Sequence, residues 1–235
     1  MLAIISDIHG NYPALKAVLD DINDYNCTEI ISLGDVAGYY CMLNECIDAL
    51  KEKQVLHIRG NHDYYLINNI LSGRSRSADR CILYQRSIVT DGNLDWLKLS
   101  VDSHRINNMS FVHGGWKDNL EEYLYNISSQ YFEKLDGEFF FSGHSHVQFI
   151  KNFGKKLYCN PGSVGQPRDG DNRAAYALIH KDGFIQLRRV QYDINLIAGK
   201  MEDAGFEPYF YKNLYHGTRL DGGLSSIQVS EVEYE

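Results

Sequence analysis

Short apolar runs and amphipathic helical patterns alternate along the first quarter of the chain. Residues 2–6, 29–33 and 54–58 have the length and composition of buried strands. A helix that starts at Pro13 and a second helix over residues 44–53 are predicted between them. Strands separated by helices favour a parallel βαβ arrangement, in which ligands bind at the carboxyl ends of the strands.

The second half of the chain changes to a pattern of strands. Strands are predicted over residues 106–112, 139–142, 147–152, 156–159, 174–180 and 184–192. Residues 64–99 are helical in pattern, a further helix is predicted over 194–204, and the acidic residues 225–235 are expected to be frayed or a short edge strand. Because no linker-like segment divides the sequence, we expect one domain over residues 1–235. Its predicted architecture is α/β (α+β), with two mixed β-sheets packed face to face and helices outside.

Composition and charge exclude several classes of function. Apolar residues make up 44% of the chain, and no apolar run approaches the roughly 18 residues of a membrane span. The net charge of −8 argues against a nucleic-acid track or binding to an anionic membrane. Five scattered cysteines and the lack of a signal-peptide pattern predict a reduced, cytoplasmic protein.

Metal-binding side chains recur at the ends of the predicted strands. On an extended strand end, residues two apart point to the same side, so Asp7 and His9 are expected to meet at one point. His144 and His146 repeat that spacing. The donors at such positions are Asp7, His9, Asp35, Asn61, His113, His144 and His146. Histidines outside these motifs are predicted to be structural, and they are His57, His104, His180 and His216.

Seven nitrogen and oxygen donors are too many for one tetrahedral ion, so two ions with a shared ligand fit better. A carboxylate can bridge two ions because it has two oxygens. Imidazole and carboxylate ligands together suit divalent transition metals, and we place Mn²⁺ first, with Fe, Zn²⁺, Ni²⁺ or Co²⁺ as alternatives. Metal pairs about 3.5–4 Å apart are a known device for in-line displacement at phosphorus.

In this order, the motifs resemble the calcineurin-like metallophosphoesterase superfamily. The blocks are Asp7-x-His9, Gly34-Asp35, Gly60-Asn61-His62-Asp63, His113 and Gly143-His144-x-His146. Residues 160–168 (NPGSVGQPR) resemble its small prokaryotic phosphodiesterase branch, which is grouped with diadenosine-tetraphosphatase-like proteins. The resemblance implies a four-layer αββα sandwich. It also implies hydrolysis of small phosphodiesters or phosphomonoesters, with nucleotides as a candidate class.

The resemblance further implies a role for each residue. One metal would be held by Asp7, His9 and His146, the other by Asn61, His113 and His144, and Asp35 would bridge them. A hydroxide shared by the metals would attack phosphorus while His62 protonates the leaving oxygen. Asp63 would orient His62 or a metal ligand. Apart from the resemblance, Arg59, Asn61 and Arg168 are predicted to contact substrate phosphate, and Arg59 is also placed in the catalytic set, with a surface or strand-end arginine as the alternative.

Two alternative functions stay open at this point. Some members of this fold are non-catalytic metal-binding scaffolds, although the intact ligand set and His62 favour an enzyme. A Ser/Thr-type protein phosphatase is the other alternative, but such enzymes carry an aspartate three residues after the bridging one, where this chain has Gly38. The side chains whose roles are left open, with packing favoured, are Tyr39, Tyr40, Cys41 and Trp116.

Overall fold

The computed structural model describes residues 1–73 and 75–230, and in this part of the chain it holds two five-stranded mixed sheets. The first sheet is built from β1 (Leu2–Ile5), β2 (Glu29–Ser32), β3 (Leu56–His57), β10 (Ala174–Ile179) and β11 (Ile185–Val190). Its strand order is β11-β10-β1-β2-β3. The strands β1, β2 and β3 are parallel, as predicted, and β10 is antiparallel to both of its neighbours.

The second sheet comes from the middle of the chain. It is built from β4 (Ser103–Ile106), β5 (Met109–Val112), β7 (Phe139–Phe141), β8 (Gln148–Phe153) and β9 (Lys156–Pro161), in the order β4-β5-β7-β9-β8. The three central strands are parallel, and β4 and β8 pair antiparallel at the two edges. A separate small sheet pairs β6 (Asn126–Ile127) with β12 (Gln228–Val229).

Helices connect the strands and cover the sheets. They are α1 (Tyr12–Asp24), α2 (Leu43–Glu52), α3 (Asn61–Ile67), α4 (Arg76–Ile88), α5 (Asp91–Lys98), α6 (Ser129–Glu133) and α7 (Ile194–Asp203), followed by 3₁₀ turns at Pro208–Phe210 and Lys212–His216. The start of α1 follows the expected chemistry, because Pro13 lies in its first turn and the Asn11 side chain accepts a hydrogen bond from the backbone N–H of Ala14.

The core lies in three layers of packing that follow the alternation of side chains along the strands. Ile4 of β1 points between the sheets and packs in one cluster with Phe111 of β5. Ile5 points to the other side and packs with Leu15 of α1. On the outer face of the second sheet, Phe132 of α6 completes the last layer. The predicted arrangement of two sheets between helices is therefore confirmed.

Some predicted elements differ from the observed ones. Residues 64–99 contain three helices, with breaks between them. The single strand predicted over 106–112 is wrong, because Asn107 adopts a φ of 53° and turns the chain from β4 into β5. Asparagine tolerates this left-handed conformation. Residues 225–230 include the short strand β12, and residues 231–235 lie outside the described part. Among the described residues, no helix is long and apolar enough to cross a membrane.

Candidate metal centre

The predicted donors all lie in loops at the carboxyl ends of strands, where the two sheets meet. Asp7 and His9 follow β1, Asp35 follows β2, Asn61 opens α3 after β3, His113 follows β5, and His144 and His146 lie between β7 and β8. None of these residues is more than 5% exposed. The fold thus gathers donors from five separate chain segments into one buried cluster.

Most of these donors have an unusual backbone. The φ angle is 54° at Asp7 and His9, 57° at Asp35, 62° at His144 and 60° at His146. Non-glycine residues in this region carry a strain of about 1–3 kcal/mol each and concentrate at functional sites. The reason predicted for the meeting of Asp7 and His9 is therefore wrong. A left-handed turn, rather than an extended strand end, brings these two side chains together.

One donor group consists of Asp7, His9 and His146. Their ligand atoms lie within 4.8 Å of one another. The Nε2 atoms of His9 and His146 are 3.1 Å apart, and His146 Nε2 is 3.4 Å from Asp7 Oδ1. Two imidazole nitrogens facing each other beside a carboxylate oxygen form a donor set suited to a transition-metal ion.

A second donor group lies beside the first. His113 Nε2 is 3.1 Å from His144 Nδ1 and 3.2 Å from Asn61 Oδ1. Asp35 is shared, because its Oδ2 atom is 3.4 Å from His113 Nε2 and 3.8 Å from His9 Nε2 of the first group. His144 and His146 therefore point into different groups, which is the division that the family resemblance implies.

Backbone carbonyls orient three of the imidazoles. The Nδ1–H groups of His9, His113 and His146 face the carbonyl oxygens of Ala37, Leu33 and Gln166 at 2.7, 2.9 and 2.7 Å. In this tautomer each Nε2 presents a lone pair to the cluster. Such hydrogen bonds fix the ring orientation of metal-binding histidines and raise their basicity.

Burial and mutual charge shape the protonation of the cluster. Burial lowers the pKa of His9, His144 and His146, which favours the neutral imidazole that binds metal. Burial raises the pKa of Asp7 to about 7. For Asp35 burial acts in the same direction, but the positive charges of the surrounding histidines, His113 foremost, bring its pKa well below the ordinary value.

Several buried polar atoms in this cluster lack a hydrogen-bond partner among the described residues. They are Asp7 Oδ1, His62 Nδ1 and His144 Nε2. A buried carboxylate oxygen without a partner is costly, and a cation beside Asp7 Oδ1 would remove that cost. The unpartnered oxygen, the facing imidazole nitrogens and the donor chemistry all fit bound metal ions.

Asp63 holds the loop that carries Asp35. Its Oδ2 accepts hydrogen bonds from the backbone N–H groups of Asp35 and Gly60 at 2.8 and 2.9 Å, and its Oδ1 accepts from Ala37 N–H at 2.9 Å. His57 Nε2 lies 3.0 Å from the same Oδ2. These contacts hold the loop that carries Asp35, one of the predicted metal ligands.

His57 is a residue that the sequence interpretation missed, since it was assigned no part in the site. Its Nδ1 is 3.0 Å from Ser32 Oγ, so the ring links β2 to Asp63 across the end of the sheet. No local motif marks it, because Ser32 lies 25 positions away and only the pairing of β2 with β3 brings the two together.

We expect Asp63→Ala to lower the free energy of unfolding by about 3 kcal/mol or more. It leaves three buried backbone N–H groups without an acceptor, and each such loss costs about 1–3 kcal/mol. Urea unfolding measures the change. Asp102→Ala is the control, because that carboxylate is exposed and pairs with Arg59, so its removal should cost less than about 1 kcal/mol. Equal losses in both variants would contradict the role given to Asp63.

His62 lies close to His9 of the first donor group and to Asp35, which the two groups share. It is 7% exposed, its ring is 5.1 Å from that of His9, and burial lowers its pKa. Gly38 packs directly on it, since a Cβ at Gly38, where φ is 98°, would lie 2.7 Å from His62 Nδ1. An aspartate in that position, as in the protein phosphatases, would need the local backbone to move.

Gln85 of α4 fixes the loop around Gly38 and was also missed. It is fully buried; its Oε1 accepts from Gly38 N–H at 2.7 Å, and its Nε2 donates to the carbonyls of Gly38 and Tyr40 at 2.9 and 2.7 Å. A glutamine in an amphipathic helix carries no local sign of this task.

Residues 160–168 hold two of the donor loops through hydrogen bonds to their backbone. Asn160 Nδ2 donates to the carbonyl of Gly143, and Ser163 Oγ donates to that of Asp7, both at 2.7 Å. This segment therefore holds the loops that carry Asp7 and His144. Arg168, at the end of this segment, is 8% exposed and lies with its guanidinium 5.4 Å from the ring centre of Tyr39.

The guanidinium of Arg59 is bonded to residues outside the donor cluster. Its guanidinium donates to the carbonyl of Ser100 at 2.7 Å, to Ser100 Oγ at 3.1 Å and to Asp102 at 2.9 Å. These bonds join the end of β3 to the segment before β4. The geometry therefore favours a structural role for Arg59 over the predicted contact with phosphate.

The aromatic side chains near the motifs lie in different surroundings. Tyr39 lies against the cluster, with its ring 4.7 Å from that of His9, whereas Tyr40 is buried and Cys41 packs with it in an apolar cluster. Trp116 packs 5.2 Å from Phe140 in the outer core. Tyr123, which sequence reasoning missed, is 43% exposed and stacks on His144 at 3.7 Å between ring centres.

A two-sheet sandwich that gathers a buried Asp/His/Asn cluster at the strand ends has the architecture of a metallophosphoesterase. The family model described as the calcineurin-like phosphoesterase superfamily domain matches residues 1–183, and the chain belongs to this superfamily. The membership that the sequence motifs predict is therefore confirmed.

Similar proteins come from archaea and bacteria. The uncharacterized protein MJ0912 of Methanocaldococcus jannaschii is 35% identical over an alignment 241 positions long, which takes in 92% of this chain and 98% of that protein. The crystal structure of a metallophosphoesterase from Sphaerobacter thermophilus matches with a TM-score of 0.81 and 29% identity, over 92% of this chain and 98% of the other. The hypothetical protein PH1004 from Pyrococcus horikoshii OT3 matches with a TM-score of 0.83 and 19% identity, over 93% and 100%.

Proposed function

We propose that this protein is a dimetal phosphoesterase that hydrolyses small phosphodiesters or phosphomonoesters, with nucleotides as a candidate class. The observation that carries this proposal is the position of Asp35 between two donor groups. Its Oδ2 lies 3.8 Å from His9 Nε2 and 3.4 Å from His113 Nε2. A carboxylate within reach of both groups supports two ions that share a ligand rather than a single ion.

The donor residues would hold two divalent transition metals, with Mn²⁺ placed first and Fe, Zn²⁺, Ni²⁺ or Co²⁺ as alternatives. When bound, such a pair lowers the pKa of water toward neutrality and neutralises phosphoryl oxygens as their charge builds. The first group would be Asp7, His9 and His146, the second Asn61, His113 and His144, with Asp35 in common. Three of the imidazoles already present Nε2 to the cluster through their bonds to backbone carbonyls.

The remaining chemistry belongs to side chains around the cluster. His62 would deliver a proton to the leaving oxygen, a step that typically contributes 10²–10⁴-fold. Its ring lies among His9, Tyr39 and Tyr65 at centre distances of 5.1, 5.1 and 5.8 Å, which limits the water around it. Arg168 would contact an oxygen of the phosphate, since its buried guanidinium lies beside the same tyrosine.

Two features support this function over the alternatives. The complete donor set together with His62 favours an enzyme over a non-catalytic scaffold. Against a Ser/Thr-type protein phosphatase, Gly38 occupies the place of the aspartate that would pair with His62, and the close approach of the two residues leaves no room for it without backbone movement.

We expect the purified protein to hydrolyse bis-p-nitrophenyl phosphate when Mn²⁺ or Ni²⁺ is added. The absorbance of the released p-nitrophenolate measures turnover. Chelation should abolish the activity, and renewed addition of metal should restore it. Metal binding without turnover of any monoester or diester, with each divalent metal tested, would favour the scaffold and overturn the proposal.

A further inference from the structure

A small cavity opens directly beside the candidate metal centre. Its volume is about 240 Å³. Among its lining residues, Tyr39, Gln166 and Arg168 adjoin the centre and are called the inner side; the others, which include Ser75, Tyr209 and Arg219, are called the outer side. Whole ligands are usually held in cavities of about 300–1,000 Å³, so this one has the size for a single substituent of a larger molecule.

The inner side of the cavity touches the donor residues themselves. The ring of Tyr39 lies 4.7 Å from that of His9 and 5.1 Å from that of His62. The carbonyl of Gln166 accepts the Nδ1–H of His146 at 2.7 Å. A substrate with its phosphorus at the centre could therefore extend a substituent into this cavity.

The polar groups that line the cavity suit an anion. Arg168 is nearly buried and its side-chain hydrogen bonds go to Gln166 Oε1; within the described residues its guanidinium has no ion pair with a carboxylate. Arg219 is about half exposed and pairs with Asp221 at 3.2 Å, which also lines the cavity. Two guanidiniums against one carboxylate leave a net positive charge.

Hydroxyl groups complete the lining. Ser75 caps α4, and its Oγ lies 2.9 Å from the Oγ of Ser77; both serines border the cavity. Arginine and serine side chains are common contacts for phosphate oxygens, because they donate hydrogen bonds in several directions.

Apart from Ser75 and Ser77, the outer residues of the cavity come from a part of the chain beyond the family match. The matched region ends at residue 183, and Tyr209, Arg219 and Asp221 follow it. This segment is anchored by apolar packing in which Met201 of α7, Phe210 and Leu214 contact the cluster around Tyr40. A wall that the shared domain does not supply is suited to setting which substrates this chain accepts.

We propose that this cavity binds a second anionic group of the substrate. The preferred substrates are then phosphate esters in which the group attached to the reacting phosphate carries another phosphate. This inference rests on the proposed function, since it assigns a substrate class to the same site. Its partner on the protein is Arg219 on the outer side, while Arg168, which would contact the reacting phosphate, borders the cavity on the inner side.

The test compares two chromogenic substrates that differ by one phosphate. They are the p-nitrophenyl esters of thymidine 5′-phosphate with and without a 3′-phosphate. We expect kcat/KM to be about 10-fold higher for the 3′-phosphorylated ester, in line with one charge-assisted contact. Arg219→Ala should bring this preference close to unity, Arg219→Lys should retain part of it, and Asp221→Asn should raise it.

Arg105→Ala is the matched control. Like Arg219, Arg105 is about half exposed and paired with an exposed aspartate, but it lies on β4 and does not line the cavity. The control should keep the wild-type preference. Thermal unfolding of each variant checks that the fold is retained.

The outcomes separate the two proposals. If neither ester is hydrolysed with any divalent metal, the proposed function fails. If both are hydrolysed with the same kcat/KM, the phosphoesterase stands and the subsite for a second anion is overturned. A preference that persists unchanged in Arg219→Ala also overturns the assignment of the second anion to this cavity.

Discussion

Asp35→Ala is expected to empty both metal sites at once. The carboxylate lies within reach of both donor groups, and its Oδ1 also accepts the backbone N–H of His62 at 2.8 Å. Without it, two cations would face each other with no shared anion between them, so each site would lose a ligand and part of its charge balance. Turnover should fall by more than about 10⁴-fold, because the electrostatic contribution to catalysis is lost with the metals.

Elemental analysis after dialysis measures the metal content of this variant. We expect about two ions per wild-type chain and close to none per Asp35→Ala chain. Asp7→Ala and His113→Ala serve as matched controls, because each removes a ligand that belongs to one group only. Each control should retain about one ion and so distinguish a shared ligand from an ordinary one.

Retention of one ion by Asp35→Ala, at the level of the two controls, would show that Asp35 serves a single site. Circular dichroism must first show that the variant is folded, because a collapsed loop would also release metal. Asp35→Asn keeps the shape and one side-chain oxygen, so it should bind metal weakly rather than unfold.

The sequence was informative about the donors because each stands next to a recognisable strand end. Asp7, Asp35 and Asn61 follow three consecutive predicted strands, and the parallel pairing of those strands is what brings their ends together. The prediction needed only the order of elements and the residue types. The predicted backbone conformation of Asp7 and His9 was wrong, because no local pattern in the sequence signals their left-handed φ angles.

The residues that hold the donor loops could not be predicted from the sequence, because they act through contacts between distant parts of the chain. His57 acts on Asp63 through a network that spans two strands, and Gln85 acts on Gly38 from 47 positions away. A buried histidine or glutamine has the same local pattern whether it braces a loop or merely fills space. Only the tertiary contacts distinguish the two cases.

The fold places the two arginines that were predicted to bind phosphate in different surroundings. Arg59 directly precedes the Gly60-Asn61-His62-Asp63 block, which made it a natural candidate for phosphate binding. In the fold its guanidinium is bonded to Ser100 and Asp102, more than 40 positions away. Arg168 is distant in sequence from Asp7 and His9, but its guanidinium lies beside Tyr39, whose ring contacts that of His9.

His62→Ala is expected to keep both metal ions and to lose activity by about 10²–10⁴-fold in kcat. The expectation follows from its place beside the donors, with Nδ1 unpartnered among the described residues. His62 Nδ1 or Nε2 also falls within 4.8 Å of ligand atoms of His9 and Asp35, so a ligand role is the specific alternative to be tested. Metal analysis decides between them, since loss of an ion together with activity would make His62 a ligand.

The dependence on the leaving group tests the acid role itself. An acid matters little when the leaving oxygen is already a stable anion, as in p-nitrophenolate, and matters more for phenolate, which is more basic. The loss in His62→Ala should therefore be larger for diphenyl phosphate than for bis-p-nitrophenyl phosphate by at least about 10-fold. His104→Ala, a histidine on β4 away from the donors, should lose little with either substrate. Equal losses of His62→Ala on both esters, with both metals retained, would assign His62 to binding or orienting the phosphate, because a proton donor cannot be indifferent to the basicity of the oxygen it protonates.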